Sequence, residues 1–386
     1  MKSNISNKII MRKIKINIVL GHELPFPQKK GGGVNSLISQ IIEGFDKNKV
    51  DIAIYSPTNE IYNNYEEFNG VKYYRLKGSK RKKNVFINIL AGIPYALRVL
   101  IKMRKADVLF SHFWHGFLFS FSKKIKIKVH TVHRDPKKAI KFFTKFDKVY
   151  FGSDSVTEEA KLLIPTMKDK FETVYNCVDF TDYMKSENRI KDGKIKFLYI
   201  GRFSEDKGLE SFIKGFEKAI KINNKIRFKT IGPLDYTGGS DEKYLYKIKN
   251  YIERNDIKDY INISGPIYDR SELDREIFNF DAVVLPSIYG ETLNMVVLES
   301  MRIGRPLLIS NLEANLPLLD EGITGYFCNK NDIDSWSHGI LKLAEKIENE
   351  DFFGYKVHQY GLNKFSSKKI ADVYYSNFIK LLFNER

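Results

Sequence analysis

Residues 194–208 read KIKFLYIGRFSEDKG: an apolar run, then a glycine and an arginine, a polar turn, and a Lys-Gly pair. An uninterrupted apolar run bounded by turn residues is a strand buried on both faces, and Lys207 opens the helix that follows it. The rhythm repeats downstream in RFKTI (227–231), DYINI (259–263), DAVVLP (281–286) and RPLLI (305–309). An earlier series consists of KIKINIVL (13–20), DIAIY (51–55), ADVLF (106–110), IKVHTV (127–132) and DKVYF (147–151). Several of these are followed by helical patterns such as VNSLISQIIEGF (34–45). Strand then helix, repeated, builds a parallel sheet with helices on both faces. The expected class is therefore α/β, with two Rossmann-like domains facing a central cleft. Between the two series lies TDYMKSENRIKDGK (181–194), polar and glycine-containing, which is the expected linker. In open parallel sheets ligands bind at the carboxyl ends of the strands.

The length of 386 residues fits two domains at about 150 residues each, and 43% hydrophobic content gives each a core. The longest apolar run, Phe86 to Ile101, contains Pro94 and Arg98 and is too short to span a bilayer. The first ten residues lack the apolar core and cleavage site of a signal peptide, and Met11 is an alternative start. Two cysteines, Cys177 and Cys328, exclude a disulfide scaffold and a cysteine zinc site and suit a reducing cytoplasm.

Charge is unevenly placed. Residues 1–180 hold 33 Lys and Arg against 16 Asp and Glu, whereas residues 181–386 hold 31 of each. Residues 71–150 alone hold 21 basic and 3 acidic residues, so the surplus lies between Lys72 and Lys148. Its dense parts, KGSKRKKNVF and KKIKIKV, lead into and follow an amphipathic stretch from Val85 to Lys105, read as a basic helix from Pro94 onward with the proline in its first turn. Such a face meets phosphates, on nucleic acid or on an anionic membrane. A base-reading module would need stacked aromatics or a groove-reading helix within 71–150, and Trp114 with scattered Phe is not such an array.

Four sets of residues carry chemistry. Gly31, Gly32 and Gly33 open the first helix and allow close approach of a ligand to backbone N–H groups, or form a flexible loop. Arg202 and Lys207 flank a strand end and suit a diphosphate, though Glu205 and Asp206 also fit an ordinary helix start. In YGETLNMVVLESM (289–301), Glu291 sits in a loop and Glu299 two turns into a helix; sugar hydroxyls satisfy such carboxylates, as do a cap and a buried ion pair. The single Asp-x-Asp, Asp332-Ile333-Asp334, precedes an amphipathic helix and reads as its cap, so no metal site is indicated.

Taken in order, these motifs resemble glycosyltransferase family 4, retaining enzymes of GT-B fold that use nucleotide sugars. The matching features are Gly31–Gly33, Thr131-Val132-His133, GSDS (152–155), Asn176-Cys177-Val178-Asp179, Gly201-Arg202 with Lys207-Gly208, Gly232-Pro233, Asp281 through Pro286-Ser287, and Glu291 with Glu299. The resemblance implies that residues 1–180 bind the acceptor, 195–365 bind the nucleotide sugar, and a helix over about 366–386 packs back on the first domain. It implies that Arg202 and Lys207 hold the donor diphosphate, Glu291 the sugar hydroxyls and Glu299 the ribose. Gly32, Gly33, Leu293 and Asn294 also border the donor. His133 stands near the sugar and acceptor, and His112, in FSHFWHG, lines the acceptor side. Leu293-Asn294 replaces the family's usual Phe-Gly, and NLEANLP (311–317) replaces its Gly-Gly-x-Pro-Glu.

The expected activity is retaining transfer of a hexose-type sugar, from a UDP-sugar ahead of a GDP-sugar, to a glycan or lipid-linked acceptor in bacterial surface polysaccharide assembly, whether O-antigen, capsule or lipopolysaccharide. Neither a metal nor a separate cofactor is expected. Residues 72–148 would dock on the anionic inner face of the cell membrane, making the protein cytoplasmic and peripheral. The alternatives are a cytosolic transferase with a soluble acceptor and, more remotely, a nucleic-acid-binding protein on a Rossmann scaffold.

Overall fold

The computed structural model describes residues 12–27, 33–80, 84–133, 139–180, 192–236, 239–289 and 294–383. The chain divides into two compact units, Met1–Asn176 with Ser367–Arg386, and Cys177–Ser366.

The first unit runs β1 (Ile14–Val19), α1 (Gly33–Gly44), β2 (Val50–Pro57), β3 (Tyr65–Phe68), β4 (Val71–Leu76), α2 (Val85–Lys102), β5 (Ala106–Ser111), β6 (Ile125–Val132), β7 (Lys148–Phe151), α3 (Asp154–Leu163) and β8 (Phe171–Thr173). Its sheet has the order β3-β4-β2-β1-β5-β6-β7-β8. Every pairing is parallel except the β3–β4 hairpin. β5 is buried at all six positions, as a central strand covered on both faces must be.

The second unit contains β9 (Ile195–Ile200), α4 (Leu209–Ile222), β10 (Ile226–Ile231), α5 (Glu242–Arg254), β11 (Ile261–Ser264), α6 (Arg270–Phe278), β12 (Ala282–Leu285), α7 (Met295–Arg302), β13 (Leu307–Ser310), β14 (Gly325–Cys328), α8 (Ile333–Asn349) and α9 (Phe353–Phe365). Its all-parallel sheet is ordered β11-β10-β9-β12-β13-β14. That is the doubly wound order, which reverses between β9 and β12 and opens a crevice there at the carboxyl ends. In the first sheet the corresponding reversal lies between β1 and β5.

The last helix, α10 (Ser367–Phe383), belongs to the first unit. Tyr374 and Phe378 pack on Phe110 of β5, with ring centroids 4.8 and 5.6 Å away, and Asn377 donates to Glu172 at 2.6 Å. The boundary between the units falls at Asn176, earlier than residue 180. The reason is local: the Val178 N–H donates to the Phe365 carbonyl at 3.2 Å, which ties Cys177–Asp179 to the second unit. Residues 181–191 of the expected linker lie outside the described residues.

One helix start is corrected. α2 begins at Val85 rather than Pro94, because the Asn84 side chain accepts from the N–H groups of Phe86 and Ile87 and caps it there. Pro94 is therefore interior and leaves the Leu90 carbonyl without its usual helical donor. As read from sequence, Asp332 caps α8, accepting from the Ser335 N–H at 3.0 Å.

Candidate active site

In the second unit the chemistry gathers at the switch point. Beyond β9, the Gly201 N–H donates to the Ile231 carbonyl at 3.0 Å. A Cβ on Gly232 would stand 1.9 Å from the Gly201 carbonyl oxygen, so these two strand ends approach at a distance that only glycine permits. The Tyr199 hydroxyl donates to the Arg202 carbonyl (2.6 Å), and the Phe203 N–H donates to Ser240 Oγ (2.9 Å). The backbone carrying Arg202 is thus pinned on both sides. Its guanidinium stays half-exposed, donating to the Gly239 carbonyl at 3.3 Å and lying 3.7 Å from Asp206.

Lys207 ends a short 3₁₀ turn, Glu205–Lys207, instead of standing in the helix itself. Its ammonium is largely buried and 3.7 Å from the same Asp206 carboxylate. Burial lowers its pKa and the Asp206 charge opposes that fall. Gly208 then adopts φ of +65°, and a Cβ there would meet the Pro286 carbonyl oxygen at 1.9 Å. The Ile288 N–H donates to the Asp206 carbonyl at 2.9 Å. The loop after β9 and the loop after β12 are consequently locked together, and the second of these leads directly toward Glu291.

Glu291 and Leu293 lie outside the described residues, as do Gly31 and Gly32. Gly33 opens α1, where an added Cβ would meet nothing within 4 Å. Asn294 caps α7, its side chain accepting from the Val296 N–H at 3.0 Å. Glu299 is buried on α7 and pairs with Arg270 Nη1 at 2.5 Å. Desolvation raises its pKa while the guanidinium opposes the rise. Asp274 bridges Arg270 and Arg302 beside it. Arg270 was missed from sequence, because nothing local links the first residue of α6 to a carboxylate on α7. Asp281 is buried and accepts from the Lys196 N–H at 2.7 Å, tying the start of β12 to β9.

The first unit concentrates histidine instead. Five of the chain's 7 histidines stand at or just beyond the carboxyl ends of β1, β5 and β6: His22, His112, His115, His130 and His133. His112 Nδ1 and His133 Nε2 are hydrogen-bonded at 2.9 Å with the rings stacked, so one nitrogen carries the proton and the other accepts it. His112 Nε2 is buried and has no partner among the described residues. His115 Nε2 bonds the Ile89 carbonyl of α2 at 2.6 Å, and the His22 and His115 rings meet edge to face. Gly92 of α2 makes room for both: a Cβ there would lie 2.4 Å from His115 and 3.0 Å from His22. Burial depresses all five pKa values, to about 3 for His130 and about 4 for His133, and neighbouring imidazoles push His112, His115 and His130 further down. At neutral pH this is a cluster of uncharged donors and acceptors. His22, His115 and His130 were not singled out from sequence, although His130 lies in the same strand pattern as His133.

Comparison with known proteins bears on the family and the fold. The "Glycosyl transferases group 1" model matches residues 181–358 and the "Glycosyltransferase Family 4" model matches residues 31–182. An uncharacterized glycosyltransferase of Methanocaldococcus jannaschii is 23% identical, over 96% of this chain and 100% of its own. A capsular polysaccharide biosynthesis glycosyltransferase, CapM, of Staphylococcus aureus is 23% identical over 53% of this chain and 54% of its own. Among solved structures, sucrose-phosphate synthase from Thermosynechococcus elongatus superimposes with TM-score 0.76 at 17% identity, covering 97% of this chain and 100% of that one. Anabaena HepE in complex with UDP-glucose gives 0.70 at 13% identity, covering 95% and 100%. With the two family models together running from residue 31 to residue 358, the chain belongs to glycosyltransferase family 4 and is a glycosyltransferase of GT-B fold.

Proposed function

We propose that the protein transfers a hexose from a nucleotide sugar, UDP-linked before GDP-linked, to a glycan or lipid-linked acceptor in bacterial surface polysaccharide assembly, with retention at the sugar carbon. The observation that carries this reading is the pinned switch-point loop with its two cations, Arg202 and Lys207. Cations on a backbone that does not rearrange stabilise the charge growing on a leaving diphosphate without reorganising during the step. Glu291 accepts hydrogen bonds from the donor sugar, with Leu293 and Asn294 beside it and Gly32 and Gly33 giving backbone access. Arg270 holds one oxygen of Glu299 and leaves the other for the ribose hydroxyls. His133 and His112, kept uncharged, supply hydrogen bonds to the sugar and its acceptor. In a retaining transfer the acceptor hydroxyl arrives on the face from which the diphosphate leaves, so the donor phosphate takes its proton and the protein positions both.

The relatives at work in capsule assembly and the UDP-glucose bound by a structural neighbour favour this setting. Residues 72–148 then rest on the anionic inner face of the membrane, where a lipid-linked acceptor is found. A thermal-shift panel of UDP- and GDP-sugars tests the donor. The preferred nucleotide sugar at 100 times its Kd adds about 2.7 kcal/mol of stability, and a panel with no shift overturns the reading. Glu291→Gln should keep that shift in part and lose most turnover. Turnover with and without membrane extract separates a lipid-linked from a soluble acceptor.

A further inference from the structure

Helix α2 is apolar on both sides. Tyr95, Val99 and Met103, facing the sheet, are buried. Yet Phe86 (80% exposed), Leu90 (64%), Leu97 (49%) and Ile101 (73%) are open to solvent. At about 100° per residue these four fall within about 60° of one another around the axis, and the buried three lie on the opposite side. Ile87 (53% exposed) borders the ridge. A surface helix normally turns polar residues outward, so a continuous outward apolar ridge calls for an apolar partner.

The surrounding charge says which. From Val71 to Ala106 the sequence holds no acidic residue. Arg98 and Lys102 stand on the helix, with Arg98 bonded to the Lys77 carbonyl at 2.8 Å. At the helix end, Lys124 donates to the carbonyls of Leu100 and Ile101. Nearby, the ring of the exposed Phe121 lies under the Lys145 ammonium, 4.0 Å from its centroid. A second copy docking through the same face would set these cations against themselves, whereas an anionic bilayer offers acyl chains to the ridge and negative headgroups to its rim.

We infer that α2 is a lipid-inserting element. Its ridge of Phe86, Leu90, Leu97 and Ile101 enters the headgroup–acyl boundary of an anionic membrane while Arg98, Lys102 and Lys124 grip the phosphates. This deepens the membrane reading of residues 72–148, on which it rests, by making attachment hydrophobic as well as electrostatic.

The test uses the full chain with vesicles of equal phosphatidylglycerol and phosphatidylcholine, and of phosphatidylcholine alone. Phe86→Ser/Leu90→Ser/Leu97→Ser/Ile101→Ser leaves every charge in place. It should sediment with anionic vesicles at least tenfold more weakly than wild type, and the wild-type fraction that stays bound in 0.5 M NaCl should vanish. An environment-sensitive fluorophore on Leu90→Cys should shift to the blue on anionic vesicles; both native cysteines are buried, which directs labelling to position 90. Wild-type binding that is wholly reversed by salt and equal in the serine variant overturns insertion and leaves electrostatic docking standing. A fluorophore that does not shift also overturns insertion. A wild-type dimer dispersed by the serine variant, without vesicle binding, overturns both and makes the ridge a self-interface. Nucleotide-sugar thermal shifts on the same samples keep the donor reading separate: vesicle insertion without any such shift supports the ridge and overturns the donor assignment.

Discussion

The two units share a sheet plan and treat charge in opposite ways at its switch point. Beyond β9 and β12 the second unit sets the basic side chains of Arg202 and Lys207 on a backbone tied by Gly201–Ile231, Phe203–Ser240 and Ile288–Asp206 hydrogen bonds. At or just beyond the carboxyl ends of β1, β5 and β6 the first unit gathers five imidazoles and strips them of charge by burial. A fixed cation suits a phosphate, which every nucleotide sugar carries. Neutral rings, with the buried His112 Nε2 unpartnered among the described residues, suit hydroxyls, whose number and direction differ between acceptors. On the proposed reading, one scaffold would serve an invariant ligand group by rigid charge and a variable one by adaptable hydrogen bonding.

That contrast is tested most severely at Lys207. Lys207→Ala should lower kcat by about 10²–10³-fold, roughly 3–4 kcal/mol of lost leaving-group stabilisation, with little change in melting temperature. Steady-state kinetics showing only altered sugar preference would move the diphosphate elsewhere. Next is Gly208→Ala, which forces a side chain into left-handed backbone against the Pro286 carbonyl. It should destabilise the second unit by about 2–4 kcal/mol, read by denaturant unfolding, and leave the first unit's transition in place. If the two transitions moved together, the loop would not be the local clasp described above.

The histidine cluster makes the first unit the acid-sensitive one. A histidine whose folded pKa lies below 6.5 binds its proton more readily when unfolded. Its contribution to stability is therefore present above about pH 6.5 and is lost as pH falls toward the folded value, near 4 for His133 and near 3 for His130. Between pH 7 and pH 5 the first unit should lose on the order of 3–4 kcal/mol from these two rings, and the second unit much less. Calorimetry at stepped pH, with His130→Phe flattening the slope, checks it. The smallest effect is Asn84→Ala: removing the cap should cost about 1 kcal/mol, fray the start of α2 and weaken vesicle binding without touching donor affinity.

Most of the strands were legible because parallel strands buried on both faces read as unbroken apolar runs, whereas their order in each sheet was not read. What escaped had other causes. The β3–β4 hairpin turns at Asn69-Gly70, both with positive φ, an ordinary hairpin signal that the strand-and-helix rhythm overshadowed. β8, of three residues, is too short for any period to show. Pro94 suggested a helix start because proline favours first turns, but the asparagine cap at 84 and the packing of Tyr95 and Val99 prevailed. At the site, residues whose function follows from position after a strand were readable, such as Arg202 and Lys207. Arg270 and the histidine contacts were not, since they depend on side chains meeting across elements 20 or more residues apart.

The return of α10 to the first unit has a consequence for synthesis. β1 to β8 leave the ribosome first, but the surface over Phe110 and Phe45 stays uncovered until Tyr374 and Phe378 emerge. The whole second unit, Cys177–Ser366, is translated in between. At about 5–20 residues per second that interval lasts roughly 10–40 s. The second unit can therefore complete its core while the first waits with an aromatic surface open, and a chain cut short before residue 367 leaves the earlier-made unit as the unfinished one.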